Sequence, residues 1–440
     1  MAILRVMPLL SLGLLMLGKT DRIDEWVKTR MERDHIAGMA VGVYRNGHPI
    51  KVKAYGKIDL EHDVPTRKDS PFEICSITKQ FTAGAILLLA EEGKLSLDDP
   101  LSKFFPDADP SWKEVRLADV LHHTTGLASP LDEGDFEKPW DEVLKAYLKQ
   151  KPAAPPRTRW AYNNTAYSLL GDVVQKVSGE PIWTYMKRRI FDPLHMDHTF
   201  PNSPAMQKGR VRGYVWDGKA YINQEPLDKG LATGDLVSTP DDLMRWSEAL
   251  RKGTLLKPAR RAAMLLPARL DSGEEAITEL AGGYGFGVFL IQMDGRMVEA
   301  HSGGWASASA QLTRIPDAGL TIVVLTNAGG LDERPWWGEQ IGEILTGHRY
   351  VPAFEVAPDP DLARTTNART IFDKAQMEED PKGPKTRSFE FVRAVPQGKA
   401  TVLLYRVGLE KPYLVTFTEQ EGKLTLSSAF PVPMSELATK

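Results

Sequence analysis

The sequence predicts an α+β fold: an antiparallel sheet flanked by helices, an all-helical lobe inserted into it, and a small α+β unit at the C-terminal end. Three observations predict it. Asn46-Gly47 separates the apolar runs Met39–Tyr44 and His48–Tyr55, and Asn-Gly between such runs is the strongest short hairpin signal. From Leu95 to about Leu280 helical spacing dominates, whereas strand character returns after Tyr284. A proline- and acid-rich break from Val351-Pro352 to Asp361 then sets off the C-terminal part.

Taken in order, residues 1–18 carry Arg5 and an apolar stretch from Val6 to Leu17, the pattern of an export signal. The stretch is short for a membrane span, and no small-x-small cleavage site precedes Lys19. The expectation is a periplasmic or secreted protein, with an uncleaved interfacial anchor or a cytoplasmic protein as alternatives. A main unit over 19–348 follows, in which Thr20 caps a helix from Asp21 to about Arg33 with Ile23, Trp26, Val27 and Met31 on one face. After the hairpin, Phe81, Ala85, Leu88 and Leu89 are spaced as a helix that Gly93 stops. The helical lobe, about 100–280, holds helices at Leu117–His122, Trp140–Lys149, Thr165–Val177, Ile182–Ile190 and Pro240–Leu250.

Strands return at Tyr284–Ile291, Arg296–His301, Ser309–Ile315 and Leu320–Asn327, and a helix follows through Trp337, Ile341, Ile344 and Leu345. The economical arrangement pairs the early hairpin with these late strands in one sheet. After a linker at 349–361, the unit at 362–440 reads as a helix from Leu362 to Lys374 and four strands: Ser388–Val395, Ala400–Val407, Tyr413–Glu419 and Lys423–Phe430. Nothing in it looks catalytic.

The chain has 440 residues, 42% of them hydrophobic, and a formal net charge of -3, so core is ample and no basic tract suggests nucleic acid. Its single cysteine, Cys75, excludes an internal disulfide and, with no Cys/His cluster, a thiolate metal site. No cofactor is expected. Beside Ser76, Cys75 reads as a small buried residue at a helix start.

Three short patterns carry chemistry. In Ser76-x-x-Lys79, residues three apart share a helix face, so the lysine can take or tune the serine proton, and the helix N-terminus favours an acyl oxyanion. The plain alternative is a capping serine and a solvated lysine. In Trp160-Ala161-Tyr162-Asn163-Asn164, Tyr162 serves as proton shuttle and Asn164 as orienter, against a hydrated loop with Asn caps. In His301-Ser302-Gly303-Gly304-Trp305, glycines let a substrate lie against a strand edge, and the Gly304 N–H pairs with the Ser76 N–H as an oxyanion hole. A strand end passing into a turn is the alternative there.

Ser76-x-x-Lys79, Tyr162-x-Asn164 and His301-x-Gly303, in that order, resemble the serine β-lactamase and penicillin-binding-protein superfamily. The likeness is nearest to its class C branch and to related carboxylesterases, D-aminopeptidases and D-alanyl-D-alanine carboxypeptidases. Phe72–Leu101, Leu121–Leu127, Gly234–Pro240 and Val324–Asn327 also resemble that family's stretches, so the likeness runs roughly from Asp21 to Leu345. It implies the β-lactamase/transpeptidase-like fold, with Ser76 as the acylated nucleophile, Lys79 and Tyr162 activating it and later water, and Asn164 positioning substrate and Lys79. His301, Ser302, Gly303 and Gly304 would form the substrate-binding edge. No class A acidic water-activator is evident, which makes Tyr162 the candidate for deacylation.

One departure stands out: His301 occupies a position where β-lactamases commonly carry lysine. An imidazole near its reference pKa of about 6.5 is mostly neutral at pH 7, so it offers a phenolate or a β-lactam carboxylate less cationic help. His301→Lys is therefore expected to shift the pH dependence of acylation. The function implied is a serine hydrolase acting on a small ester, D-amino-acid amide or peptide; the alternative is a β-lactamase or a penicillin-binding sensor with little turnover. Pocket walls are expected from the loops Pro130–Trp140 and Pro201–Leu231, and the unit after Pro352 is expected to cover the cleft, mediate dimerisation or contact another protein.

Other patterns fall away. There is no Gly-x-Ser-x-Gly, and Gly283–Gly287 fails the dinucleotide fingerprint because Leu290 stands where its third glycine belongs. His195 and His198 lack a nearby third ligand, and His122-His123 reads as packing beneath the site.

Overall fold

The computed structural model describes residues 21–130, 138–202, 210–227, 229, 231–278, 282–331, 336–352, 356–379, 385–397, 400–409 and 412–431. The expected export segment 1–18 and Thr20 lie outside them, as do 131–137 and 203–209 of the expected pocket loops.

Helix α1 (21–33) buries Ile23, Trp26 and Val27. Strands β1 (Gly38–Arg45) and β2 (His48–Asp59) turn at Asn46-Gly47, where φ is +52° and +80°, the pair of positive angles a type I′ turn needs. Next come β3 (Val64–Pro65), β4 (Phe72–Glu73), a 3-10 turn at Cys75–Ile77, and α2 (Thr78–Glu91). Residues Thr78 to Ala90 of α2 are all buried, because the helix runs between the sheet and the rest of the helical region.

That region supplies α3 (Leu117–Leu121), α4 (Trp140–Tyr147), α5 (Asn164–Ser178), α6 (Ile182–Met186), α7 (Pro240–Lys252) and α8 (Pro258–Met264). Four short strands also lie there: β5 (Phe200–Pro201), the hairpin β6 (Gly213–Trp216) and β7 (Tyr221–Gln224), and β8 (Leu236–Ser238), which pairs with both β4 and β5. They are too short for alternation to reveal in the sequence. Among the described residues no helix is long and apolar enough to cross a membrane.

The late strands are β9 (Gly283–Tyr284), β10 (Phe289–Met293), β11 (Arg296–Trp305), β12 (Ala308–Ile315) and β13 (Leu320–Thr326), followed by α9 (Trp337–Thr346). They join the early hairpin in one eight-stranded antiparallel sheet ordered β3-β2-β1-β13-β12-β11-β10-β9. The run Tyr284–Ile291, expected as one strand, is instead a tight reversal in which Tyr284 pairs with Phe289. Gly287 at φ +74° and the Gly285 N–H donating to the Val288 carbonyl make that turn.

Alternation sorts the sheet's side chains onto two cores. Ala40, Ala310, Leu312, Val323 and Leu325 face α2, whereas Met39, Val41, Val43, Ile322 and Val324 face α1 and α9. The C-terminal part forms α10 (Leu362–Glu379) and a separate sheet of β14 (Ser388–Gln397), β15 (Ala400–Gly408), β16 (Pro412–Gln420) and β17 (Lys423–Pro431) in that order. One face of this sheet packs with α10 through Leu403, Tyr405, Val415 and Phe417; Val392, Leu404 and Leu414 on the other join the core that holds Trp336 and Tyr350.

Candidate active site

The chain reaches Ser76 along an extended segment pinned by the Ile74 N–H donating to the Leu236 carbonyl at 2.9 Å. It then turns sharply: buried Cys75 adopts φ +43°, a region L residues enter at a cost on the order of 1–3 kcal/mol. This turn presents Ser76 ahead of α2. Strand β11 lies hard against it, since a Cβ on Gly303 would sit 2.2 Å from the Ile74 carbonyl oxygen. Only glycine permits that approach.

Lys79, on the first turn of α2, is fully buried. Its Nζ donates to Ser76 Oγ at 3.2 Å, Asn164 Oδ1 at 2.7 Å and the Thr233 carbonyl oxygen at 2.8 Å. All of these are acceptors, which suits an ammonium, since it has protons to give and no lone pair. The Thr233 hydroxyl donates to Asn164 Oδ1 at 3.0 Å, fixing which way that amide points.

The two neighbouring asparagines divide the roles that the sequence left open. Asn163 is the cap: its Oδ1 accepts from the Ala166 N–H at 2.7 Å at the start of α5, and its Nδ2 donates to the Leu127 and Ala128 carbonyls. Asn164, the first residue of the helix, turns to Lys79.

Tyr162 closes the cluster. Its ring centroid is 4.9 Å from Lys79 Nζ, so hydroxyl, amine and phenol side chains meet at one place. Behind the phenol, His123 packs its ring at 4.4 Å from Tyr162 and accepts the Asn163 N–H on Nδ1 at 3.1 Å. Tyr167, Tyr284 and Trp160 surround His123. Burial, reinforced by the nearby Lys79 cation, holds His123 well below the usual imidazole range, and burial lowers His122 to about 4.

His301 lies within this aromatic packing, only 2% exposed. Its Nδ1 donates to the Ser302 carbonyl at 2.6 Å, which leaves Nε2 to accept the Tyr284 hydroxyl at 3.0 Å. Burial first, then Lys79, lowers its pKa to about 3. The expectation of an imidazole titrating near 6.5 is therefore corrected: both nitrogens are engaged and the ring stays neutral across the working range. Ser302 and Gly304 are half-buried along β11, and Gly303 is buried against the Ser76 turn.

Glu73 braces the same turn from behind. It accepts from Ser307 Oγ at 2.6 Å and Asn202 Nδ2 at 3.0 Å, tying β4 to the β11–β12 turn and to the residue after β5. Burial raises its pKa. Thr233, Tyr284 and Glu73 were not singled out from the sequence. Thr233 acts partly through a carbonyl oxygen, which residue identity does not record; Glu73, an acid between Phe72 and Ile74, was the detectable signal. Among the described residues no group of three or more His, Cys, Asp or Glu is placed to hold a metal ion.

The family model described as Beta-lactamase matches residues 23–343. The chain is 29% identical over 307 residues to Penicillin-binding protein 4* of Bacillus subtilis (strain 168), covering 62% of this chain and 64% of that protein. It thus spans less than two thirds of that relative's length. The octameric penicillin-binding protein homologue from Pyrococcus abyssi has a similar fold, with a TM-score of 0.67 at 21% identity over 94% of this chain and 96% of that one. D-amino acid amidase from Ochrobactrum anthropi SV3 is also similar in fold, with a TM-score of 0.60 at 24% identity over 76% and 96% of the two chains.

Proposed function

The chain belongs to the Beta-lactamase family, and from that premise we propose a serine hydrolase that forms an acyl-enzyme on Ser76 and hydrolyses esters or D-amino-acid-type amides and peptides. The observation that carries the reading is Lys79 Nζ at 3.2 Å from Ser76 Oγ with the Tyr162 ring 4.9 Å away. In this reading Tyr162 acts as the phenolate beside the Lys79 ammonium: Ser76 Oγ attacks the carbonyl carbon while its proton passes to the phenolate oxygen, which becomes the phenol. Acceptors at Ser76, Asn164 and Thr233 around Nζ favour Lys79 as the standing cation beside Tyr162, rather than as the first base. Tyr162 then hands the proton to the departing alkoxide or amine, and later takes one from the water that releases the acyl group.

Backbone N–H groups at Ser76 and Gly304 are assigned to the developing oxyanion, and Asn164 to holding Lys79 and substrate. The name of the D-amino acid amidase of similar fold supports the amide class. A neutral, enclosed His301 offers no cation to a β-lactam carboxylate, so β-lactam hydrolysis is a side activity at most. A chromogenic short-chain ester tests the proposal. A steady rate that Ser76→Ala abolishes supports it; a one-equivalent burst with no turnover points instead to a binding module.

A further inference from the structure

We infer that the C-terminal sheet forms the outer wall of the substrate site, and that the cleft it encloses holds the extended part of a short peptide substrate. The inference rests on the hydrolase reading above and adds to it the substrate's length and the residues that meet it. A cleft of about 810 Å³ lies between the loop carrying Arg159, Trp160 and Tyr162 and the strands β15 to β17. Its size is at the upper end of small-ligand pockets, more than a single amino-acid amide needs. Tyr162, the candidate catalytic tyrosine, is among its lining residues.

The sheet changes character where the cleft begins. Leu404 and Leu414, where the sheet docks on the main unit, are buried apolar residues. Further along the same face of β16 come Thr416, Thr418 and Gln420, and Thr425 stands opposite Thr418 on β17. Docking needs no hydroxyls. Groups that both donate and accept match a peptide backbone, which offers N–H and C=O in alternation.

The opposite wall asks for acceptors. Arg159 Nε and Trp160 Nε1 are buried and have no hydrogen-bond partner among the described residues. An unmade bond costs a buried donor about 1–3 kcal/mol, and a turn of either side chain toward the cleft would let ligand carbonyl or carboxylate oxygens supply it. At the rim, Glu421 and Lys423 present both signs of charge, as the termini of a zwitterionic peptide require.

The test compares kcat/KM for a D-alanine tetrapeptide with that for a short chromogenic ester, in the full chain and in Thr425→Trp and Gln420→Trp. Both positions are exposed, so a larger side chain fills the cleft without entering a core. The expected result is a fall of at least about tenfold in the peptide-to-ester ratio, carried by KM. A ratio within about twofold of the unaltered chain in both variants overturns the inference. Ser76-dependent ester turnover in the unaltered chain reports separately on the hydrolase reading; without it the inference falls too.

Discussion

The two faces of the eight-stranded sheet each bury a polar cluster, and the clusters are built in opposite ways. On the α2 side a cation, Lys79, is met by acceptors at Ser76, Asn164 and Thr233, with neutral histidines behind it. On the α9 side a carboxyl group, Glu339, is enclosed with Gln311 donating to it at 2.7 Å, and burial together with the like charge of Glu343 raises its pKa to about 8. The first cluster keeps a charge at work beside a nucleophile; the second keeps a proton. Burial alone does not mark an ionisable group as functional; the chemistry of its neighbours decides, and here only Lys79 has a nucleophile beside it.

The largest expected effect breaks the first cluster. Lys79→Met should lower ester kcat by at least about a hundredfold, with a modest change in thermal stability, because the desolvation cost of the buried cation leaves with it. Glu339→Gln should do the reverse: stability at pH 7 rises by up to about 3 kcal/mol while kcat holds. The sign follows from linkage. Between about 4.5 and 8 the unfolded chain has released this proton and the folded chain has not, so stability falls as pH rises. Denaturant unfolding at pH 6 and pH 8 checks it: the variant should gain more at the higher pH.

The histidines run the other way. His122 at about 4 and His301 at about 3 stay neutral in the folded chain while the unfolded chain protonates below about 6.5. Each removes up to about 1.4 kcal/mol per pH unit as pH falls below that value. The pH–rate profile between 5 and 8 should accordingly carry no inflection from His301. The smallest effect is expected of Tyr284→Phe, which strips the donor from His301 Nε2: a loss of about 1 kcal/mol in stability and a fewfold drop in kcat.

What the sequence disclosed follows from what residue identity can encode. The three-residue spacing of Ser76 and Lys79 and the turn at Asn46-Gly47 are local, and both were readable. Asn163 and Asn164 were readable as a pair, yet their division into cap and ligand depends on where α5 starts relative to Lys79. The Thr233 carbonyl left no trace because every residue has one. Tyr284 to Ile291 passed for one strand because alternation continues through a glycine turn. In the C-terminal sheet the strands were plain from alternation, but which face would meet Tyr162 is a matter of tertiary packing alone.

The most direct test of the central claim is intact-protein mass spectrometry after brief mixing with a short activated ester. A mass increase of one acyl group should appear, map to the peptide containing Ser76, decay with time, and be absent in Ser76→Ala. An acyl group on another residue, or none while ester is still hydrolysed, would contradict that claim.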